Sequence, residues 1–261
     1  MFTYSNKTTL ITGASSGIGE AFAYSLAEKK CNLILVARNE AKLKALATKL
    51  AATYKIKTTV IALDLSTPGA SQTLLHEVQS HYLKVDLLIN NAGFATYGYF
   101  DQVSGERQHE EVMLNVTALV DITHAFMPDL LRNQDGGIIN VSSTAAFQPD
   151  PYMAVYGATK AFVLSFSEAL WAENRKRGLR VLALCPGATE TSFFDVVGSN
   201  EASVGSRQTP STVVKNALRA LEKGHSHIIS GCQNYIVSQV SRFFSRQFTL
   251  GIVERTLRPR P

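Results

Sequence analysis

Seven short runs of apolar and β-branched residues recur along the chain, and stretches of mixed polarity separate them. The runs are TTLIT, NLILVA, TTVIALDL, DLLIN, GIINVS, RVLALCP and HIIS. They are nearly continuous in apolar character instead of alternating, which is typical of strands buried on both faces of a parallel sheet. Stretches between them, such as EAFAYSLAEKK and NEAKLKALATKLAATY, repeat their apolar positions with the period of a helix.

This alternation predicts an α/β fold, a doubly wound parallel sheet of about seven strands with helices on both faces. We expect residues 1–261 to form a single domain, because a chain of this length can bury one large core. The longest irregular stretch, SNEASVGSRQTP, ends with Thr209 and Pro210 placed as the N-cap and first turn of a helix. We expect residues 188–212 to form a substrate-binding loop or lid, with a plain surface loop as the alternative.

Composition and charge favour a globular protein that does not bind nucleic acid. Hydrophobic residues make up 45% of the chain and charged residues 18%, which is ordinary for a soluble globular protein. The formal charge is +5, but the segment from Tyr235 to the end holds five arginines and one glutamate, so the body is nearly neutral. We therefore expect no nucleic-acid binding.

The lack of a recognisable targeting signal and the spacing of the cysteines favour a cytoplasmic protein. The N-terminal MFTYSNKTTLITG shows no basic segment followed by an apolar run, and no stretch of 18 apolar residues occurs. The three cysteines, Cys31, Cys185 and Cys232, match neither a disulfide framework nor a zinc site. We expect no metal, and we expect each cysteine to be a small core residue.

A glycine-rich turn follows the first predicted strand. The segment TGASSGIGEAF places Gly13, Gly17 and Gly19 where the first helix begins. Glycines let the backbone approach a ligand, and the helix N-terminus offers free N–H groups to a pyrophosphate. The spacing G-x-x-x-G-x-G differs from the G-x-G-x-x-G fingerprint, and a tight strand–helix turn is the alternative. Its position after the first strand favours dinucleotide binding.

The segment AVYGATKAF places Tyr156 four residues before Lys160. On a helix these two side chains share a face, so the ammonium should lower the phenol pKa from about 10. The tyrosine could then donate or accept a proton near neutral pH. The alternative is a half-buried tyrosine beside a solvated lysine.

Together, TGASSGIG and YGATK resemble the short-chain dehydrogenase/reductase family. Four further motifs of that family occur in the expected order: NNAG at 90–93, Asn115 in LNVTA, INVSS at 139–143 and PGATET at 186–191. The resemblance covers residues 7–192 and implies a Rossmann-type fold, a nicotinamide cofactor and an oxidoreductase activity.

The resemblance also implies four catalytic residues. Tyr156 would give a proton to the substrate oxygen, while Lys160 would lower the tyrosine pKa and hold the nicotinamide ribose. Ser143, thirteen residues before Tyr156, would stabilise the developing alkoxide, with Ser142 as the less favoured choice. Asn115 would hold a water that links Lys160 to solvent, and an asparagine capping a local break is the alternative.

Cofactor contacts follow from the same motifs. Asp64 would accept from the adenine amino group or cap the next helix, and Asn90 would brace the central strands. Arg38 stands where NAD-binding members carry an acidic residue, so it would bind the 2′-phosphate of NADP(H). A solvent-facing arginine is the alternative. The expected cofactor-binding residues are Gly13, Ser15, Gly17, Ile18, Gly19, Arg38, Asp64, Asn91, Gly93, Tyr156, Lys160, Pro186, Gly187, Thr189 and Thr191, of which Thr189 stands where the family usually has valine.

Three aromatic segments, GFATYGYF, AFQPDPYM and SFFDVV, should surround the active site. They indicate an apolar carbonyl substrate, with no evident arginine or lysine to bind a carboxylate. The expected substrate contacts are Phe94, Phe147, Tyr152 and Phe193, and Tyr97, Tyr99 and Phe194 belong to the same rim. We therefore predict an NADPH-dependent reductase of ketones or aldehydes, reversible with the alcohol. The alternatives are a non-catalytic NADP-binding sensor or scaffold and, less favoured, an epimerase or dehydratase.

The C-terminal tail, 234–261, predicts an amphipathic helix interrupted near Gly251. Its apolar stripe consists of Ile236, Val240, Phe243, Phe244, Phe248 and Ile252, with Arg242 and Arg246 off the stripe. We expect this tail to pack near the pocket or on a partner subunit in preference to an anionic membrane surface. The family implies a homodimer or homotetramer built through helices around 104–132 and 152–176.

Overall fold

The computed structural model describes residues 2–132, 134–193, 197 and 206–259, and of residues 240–242 the backbone only. Its sheet has seven parallel strands in the order β3-β2-β1-β4-β5-β6-β7. The strands are β1 Thr8–Thr12, β2 Asn32–Ala37, β3 Thr58–Ala62, β4 Leu87–Asn90, β5 Gly137–Val141, β6 Arg180–Cys185 and β7 His227–Ile229. The predicted doubly wound parallel sheet is confirmed.

Helices cover both faces of the sheet. They are α1 Gly17–Glu28, α2 Glu40–Tyr54, α3 Ala70–Ser80, α4 Gly105–Val112, a π-helical turn Met113–Ala118, α5 Leu119–Leu131, α6 Ala154–Asn174, α7 Pro210–Glu222, α8 Cys232–Phe243 and α9 Arg246–Leu257, with short 3₁₀ segments at Thr144–Phe147 and Arg175–Arg177. One apolar core lies under α1, α2 and α7, and a second lies under α3 and α5 on the opposite face. Both faces of the strands are therefore buried, which explains their continuous apolar sequences.

Two asparagines tie the central strands to the helices. Asn90 and Asn140 are paired in register on β4 and β5, and Asn90 Nδ2 donates to Asn140 Oδ1 at 2.9 Å. Asn90 also donates to Thr123 on α5, and Asn140 donates to Ser167 on α6. The bracing role expected of Asn90 is confirmed, since the amide nitrogens of Asn90 and Asn140 donate to partners that hold α5 and α6 at fixed positions.

The strand order reverses between β1 and β4, and the carboxyl ends of the strands open a crevice there. The glycine turn follows β1, the NNAG segment follows β4, and the two serines follow β5. All three motifs therefore meet at one edge of the sheet.

The ends of the expected 188–212 loop lie side by side. Gln208 N–H donates to Ala188 and Glu190 N–H donates to Gln208, both at 2.9 Å. Thr209 caps α7 by accepting from Thr212 N–H, with Pro210 in the first turn, so this predicted helix start is confirmed. Phe194 lies outside the described residues, as do 195, 196 and 198–205, and the lid role of the loop stays a prediction.

The C-terminal tail forms two helices that meet before residue 246, so the predicted interruption near Gly251 is wrong. Ser245 is the N-cap of α9 and accepts from Phe248 N–H at 3.3 Å, and the helix continues through Gly251. A helix tolerates one glycine at about 1 kcal/mol, whereas a capping serine satisfies an otherwise free N–H. The side chains of Val240 and Arg242 lie outside the described residues. No helix in the described ranges is both long and apolar enough to cross a membrane.

The cysteines differ in their surroundings. Cys31 and Cys185 are buried, as expected, but Cys232 is exposed. The core assignment of Cys232 is wrong because this residue begins α8, a helix on the surface.

Candidate active site

The turn between β1 and α1 forms a backbone cradle that side chains would fill. Gly13 and Gly17 have φ values of +66° and +61°, a region that residues with a Cβ rarely adopt. A Cβ on Gly19 would lie 2.3 Å from the Gly13 carbonyl oxygen. Thr191 borders Gly17 on the other side, where a Cβ on Gly17 would lie 3.0 Å from its Cγ2. The cradle opens at the N-terminus of α1 and fits a pyrophosphate group.

The NNAG segment brings backbone close to the expected catalytic side chains. Asn91 Nδ2 donates to the carbonyls of Thr12 and Gly13 at 2.9 and 3.2 Å, which fixes the end of β4 to the end of β1. A Cβ on Gly93 would lie 2.8 Å from Asn115 Oδ1 and 3.5 Å from Lys160 Nζ. Only glycine leaves room here, so Gly93 marks the point where the loop passes nearest to these two groups.

Asn115 lies in the π-helical turn between α4 and α5 and is 1% exposed. Its Oδ1 accepts from Phe94 N–H at 3.1 Å, and its Nδ2 donates to the Phe94 carbonyl at 2.9 Å. The same Nδ2 donates to Thr159 Oγ1 on α6 at 3.2 Å. A π-turn widens a helix locally, and here the amide of Asn115 joins the Phe94 backbone to α6 behind the site.

The two serines after β5 make different contacts. Ser142 Oγ donates to the backbone carbonyl of Lys160 at 2.7 Å, so it holds α6 in place. Ser143 Oγ accepts from Ala145 N–H at 3.1 Å, and Ser143 acts to lower the pKa of Tyr156. Ser143 is therefore the serine beside the phenol.

Tyr156 and Lys160 share one face of α6, with Lys160 Nζ 5.6 Å from the centre of the Tyr156 ring. Lys160 Nζ donates to the Val141 carbonyl at 2.9 Å. Burial lowers the pKa of Lys160 to about 8, although the charge of Glu111 opposes this shift.

Burial likewise raises the pKa of Tyr156 above its ordinary value, Asp150 and Glu111 act in the same direction, and the Ser143 hydrogen bond opposes them. The expected lowering of this pKa by Lys160 is wrong here, because loss of hydration of the phenolate outweighs an ammonium that already donates to Val141.

Arg38 and Asp64 lie together where β2 and β3 end. Arg38 Nη1 is 3.9 Å from Asp64 Oδ2, and 71% of the arginine side chain is exposed. Burial favours a raised pKa for Asp64, but hydrogen bonds from Ser66 and the charge of Arg38 hold it below its ordinary value. Asp64 does not cap the next helix, because Gly69 is the N-cap of α3.

These residues line one cavity of about 830 Å³, which extends from Arg38 past the glycine turn to Tyr156 and α9. All but one of the expected cofactor residues line it, and the exception is Gly19, which packs behind the turn. Ser143, Tyr156 and Lys160 line it as well, whereas Asn115 lies behind the Phe94 backbone.

The expected substrate residues divide into two groups. Phe94 and Phe193 line the cavity, and the Phe193 ring centre is 5.7 Å from that of Tyr156. Phe147 and Tyr152 are not in its described wall. Phe147 packs beside His227, and Tyr152 donates to Glu254 Oε1 at 2.8 Å. The structure therefore does not bring these two residues into the cavity wall, because an aromatic residue close in sequence to the site can pack on a neighbouring helix or strand instead.

The described side chains of the predicted apolar stripe are exposed. Helix α9 nevertheless supplies a wall of the cavity, in line with the expectation that the tail packs near the pocket. Its inward residues are Thr249, Ile252, Val253, Thr256 and Leu257. Two tyrosines attach the helix to the rest of the site: Tyr152 through Glu254, and Tyr97, whose hydroxyl donates to the Leu257 carbonyl at 2.8 Å.

Arg107 also lines the cavity, although the sequence showed no evident cation there. Its guanidinium lies 3.9 Å from the centre of the Phe94 ring and pairs with Glu110 at 2.7 Å. Arg107 precedes Asn115 by eight residues, about two helical turns, and this spacing was the signal available in the sequence.

A doubly wound sheet whose glycine cradle and Tyr–Lys pair open into one cavity is the architecture of a nicotinamide-dependent oxidoreductase. The family model described as short chain dehydrogenase matches residues 7–202, and the chain belongs to that family.

Known proteins similar to this chain differ in activity. Sulfoacetaldehyde reductase 2 of Chromohalobacter salexigens is 38% identical over 197 residues, covering 74% of this chain and 77% of that protein. The inactive hydroxysteroid dehydrogenase-like protein 1 of Homo sapiens is 34% identical over 72% of this chain, and the match spans only 57% of that protein. A short-chain dehydrogenase from Sphingobium yanoikuyae, solved in complex with NADPH, is 31% identical with a TM-score of 0.82, covering 94% of this chain and 95% of that one.

Proposed function

We propose that this protein is an NADPH-dependent reductase that converts an apolar ketone or aldehyde to the alcohol, reversibly. The observation that carries the proposal is that Ser143, Tyr156 and Lys160 line the same cavity as the glycine cradle. A carbonyl oxygen bound in this cavity would accept from the hydroxyls of Ser143 and Tyr156.

The described residues fit a nicotinamide dinucleotide. Gly13 and Gly17 with the N-terminus of α1 would hold the pyrophosphate, because added side chains would fill this space. Asp64 would accept from the adenine, and Thr191 with Lys160 would hold the nicotinamide end. When bound, this cofactor supplies the hydride of a reduction or accepts that of an oxidation.

Side chains of the protein supply the proton that the substrate oxygen receives. Burial keeps Tyr156 protonated at neutral pH, which is the state that donates to the substrate oxygen. Ser143 stabilises negative charge on that oxygen. Lys160, with a pKa of about 8, carries a positive charge at pH 7 beside the phenolate that proton donation leaves. Asn115 fixes the Phe94 backbone at this site, and its role in a water chain stays a prediction.

An apolar substrate is supported by the side chains around the Tyr156 hydroxyl. Phe94, Phe193 and the α9 residues Ile252, Val253 and Leu257 form one wall. Arg107 lines the cavity beside Phe94, but Glu110 pairs with it at 2.7 Å, which favours a neutral substrate over a carboxylate.

NADPH is favoured over NADH by the residues after β2. Arg38 is exposed and can turn its guanidinium to a 2′-phosphate, which it would bind through two hydrogen bonds. Its long contact with Asp64, 3.9 Å, holds it near this position without consuming its donors. The glycine cradle itself does not distinguish the two cofactors.

The test is a screen of ketones and aldehydes with NADPH and with NADH, read by loss of nicotinamide absorbance, with Tyr156→Phe as the control. We expect NADPH-dependent turnover that this variant loses. NADPH binding without turnover of any carbonyl compound would instead favour a sensor or scaffold, the alternative raised by the inactive human relative.

Two further proposals concern the oligomeric state of the protein and its cellular compartment. We infer a homodimer or homotetramer through α4, α5 and α6, supported by the exposed Phe162 ring, which stacks on Phe166 at 5.8 Å. We infer a cytoplasmic enzyme without nucleic-acid partners, and light scattering of the purified protein tests the assembly.

A further inference from the structure

Glu111 is a charged residue with no exposed surface beside the proposed catalytic pair. Its Oε2 accepts from Thr96 N–H at 3.0 Å and from Thr96 Oγ1 at 2.7 Å. The other oxygen, Oε1, is buried and has no hydrogen-bond partner among the described residues. A buried carboxylate oxygen without a partner is destabilising, so its presence needs an explanation beyond packing.

Glu111 helps to hold the loop that passes Lys160. It precedes Asn115 by four residues on the same helical face, and the two side chains hold consecutive parts of one loop. Asn115 binds the backbone of Phe94, and Glu111 binds Thr96. The loop they hold passes Lys160 Nζ at Gly93.

Few charged side chains surround Glu111. From α6, Lys160 interacts with Glu111, and from α4, Arg107 does so. Arg107 already pairs with Glu110, whereas no carboxylate of the described residues forms an ion pair with Lys160 within 4.0 Å.

Two other ionisable side chains lie near the Tyr156–Lys160 pair. Cys185 faces Lys160, and Asp150 faces Tyr156 together with Glu111. Asp150 lies before α6 and is hydrogen-bonded to Gln148. Glu111 is thus the carboxylate that acts on both members of the Tyr156–Lys160 pair.

We propose that Glu111 is a positioning residue whose buried carboxylate is the counter-charge of Lys160, disfavours the phenolate of Tyr156, and so sets the pH range in which this pair transfers protons. The inference rests on the proposed reductase chemistry. A negative charge here favours the ammonium of Lys160 and disfavours the phenolate of Tyr156, so both groups keep their protons to higher pH. Burial raises the pKa of Glu111 itself, against the hydrogen bonds from Thr96 and the charges of Lys160 and Arg107. A neutral acid that only anchors the loop is therefore the competing state.

Glu111→Gln separates these two states, because the amide oxygen can still accept both bonds from Thr96 while the charge is removed. We expect the pH profile of kcat/KM for reduction to lose activity at a pH about 0.5 to 1 unit lower than in the wild type. In the oxidative direction, the rise in activity should move to lower pH by the same amount. Glu106→Gln, which removes an exposed carboxylate from the same helix, should move neither profile by more than about 0.2 unit.

A second measurement needs neither cofactor nor substrate. In protein with ¹³Cε-labelled lysine, the Lys160 signal, assigned with Lys160→Arg, should titrate near pH 8 in the wild type and at lower pH in Glu111→Gln. A shifted titration in a protein that reduces no carbonyl compound would refute the proposed function and leave this inference standing. Identical titrations in the two proteins would overturn it.

Wild-type protein provides a check that is independent of any variant's folding. In ¹³Cδ-labelled glutamate spectra at pH 7, the inference requires every glutamate to be ionised. A glutamate that is still protonated at pH 7 would identify Glu111 as a neutral loop anchor and contradict the proposal.

Discussion

The two ends of the cavity are built in different ways. At the cofactor end, the cradle consists of backbone turns at strand ends, and its contacts join neighbouring strands, as Asn91 joins β4 to β1. At the substrate end, α9 is held by side chains far away in sequence: Tyr97 contacts a residue 160 positions later, and Tyr152 one 102 positions later. We infer that the sheet determines cofactor binding, whereas the packing of a terminal helix determines substrate binding.

The largest expected effect separates chemistry from cofactor binding. Tyr156→Phe removes the proton donor but leaves the glycine cradle intact. Turnover should fall by a factor on the order of 10² to 10⁴. The NADPH dissociation constant, measured by fluorescence titration, should stay within about threefold of the wild-type value. A variant with near-full activity would exclude Tyr156 as the acid.

The next prediction tests the cofactor end alone. Arg38→Asp exchanges a phosphate partner for a group that repels phosphate and can accept from a ribose hydroxyl. The preference for NADPH over NADH should reverse, with a change of about 10²-fold in the ratio of dissociation constants. Lys44→Asp, at an exposed cation paired with Glu40, is the control and should leave the ratio unchanged. Equal wild-type affinity for the two cofactors would remove the basis for this prediction.

Loosening α9 should affect the substrate end alone. Replacing both Tyr97 and Tyr152 by phenylalanine removes two hydroxyl contacts with α9 and keeps the rings. We expect KM for the carbonyl substrate to rise about 3- to 10-fold, while NADPH affinity stays constant. Tyr82→Phe, at a residue that is 94% exposed, is the matched control. If NADPH affinity fell as far as KM rose, the two ends would not be independent.

The smallest expected effect is a pH dependence of the free energy of unfolding that comes from Asp150, a residue in the lining of the cavity. Burial raises the pKa of Asp150 to about 6 from an ordinary 3.8. Since the folded pKa is the higher one, the free energy of unfolding should fall as pH rises from about 4 to about 6, by an amount on the order of 2 kcal/mol. Asp150→Asn should lose this pH-dependent component while its oxygen still accepts from Gln148. Urea titrations of both proteins at pH 4, 5, 6 and 7 measure the difference, and parallel curves would contradict it.

Sequence reasoning predicted the cofactor end more completely than the substrate end. The strands, the glycine turn and the Tyr156–Lys160 spacing depend on local periodicity and on backbone conformations that few residues allow, so short motifs reveal them. The amphipathic tail was expected near the pocket, but the packing of Phe147 and Tyr152 and the choice of α9 residues that face the cavity depend on contacts between distant segments, which local patterns do not contain. Arg107 was overlooked because its approach to Phe94 follows from where α4 packs.

The pKa of Tyr156 illustrates a different limit. Its helical spacing from Lys160 is present in the sequence, but the direction of the shift depends on burial, and burial is a property of the assembled fold. The same holds for Glu111, whose lack of exposure distinguishes it from its exposed neighbour Glu110. Spacing therefore identified which groups meet, while their protonation required the structure.

The central claim, hydride transfer from NADPH to a carbonyl carbon at Tyr156, is tested most directly by isotope transfer. The protein is incubated with NADPH carrying deuterium at C4 of the nicotinamide, separately in each of the two C4 configurations, and with a carbonyl compound from the screen. Mass spectrometry of the alcohol should show one deuterium on the carbinol carbon from one of the two labelled forms, and Tyr156→Phe should form almost no alcohol. Alcohol formed without deuterium from either form, or formed equally by Tyr156→Phe, would contradict the account.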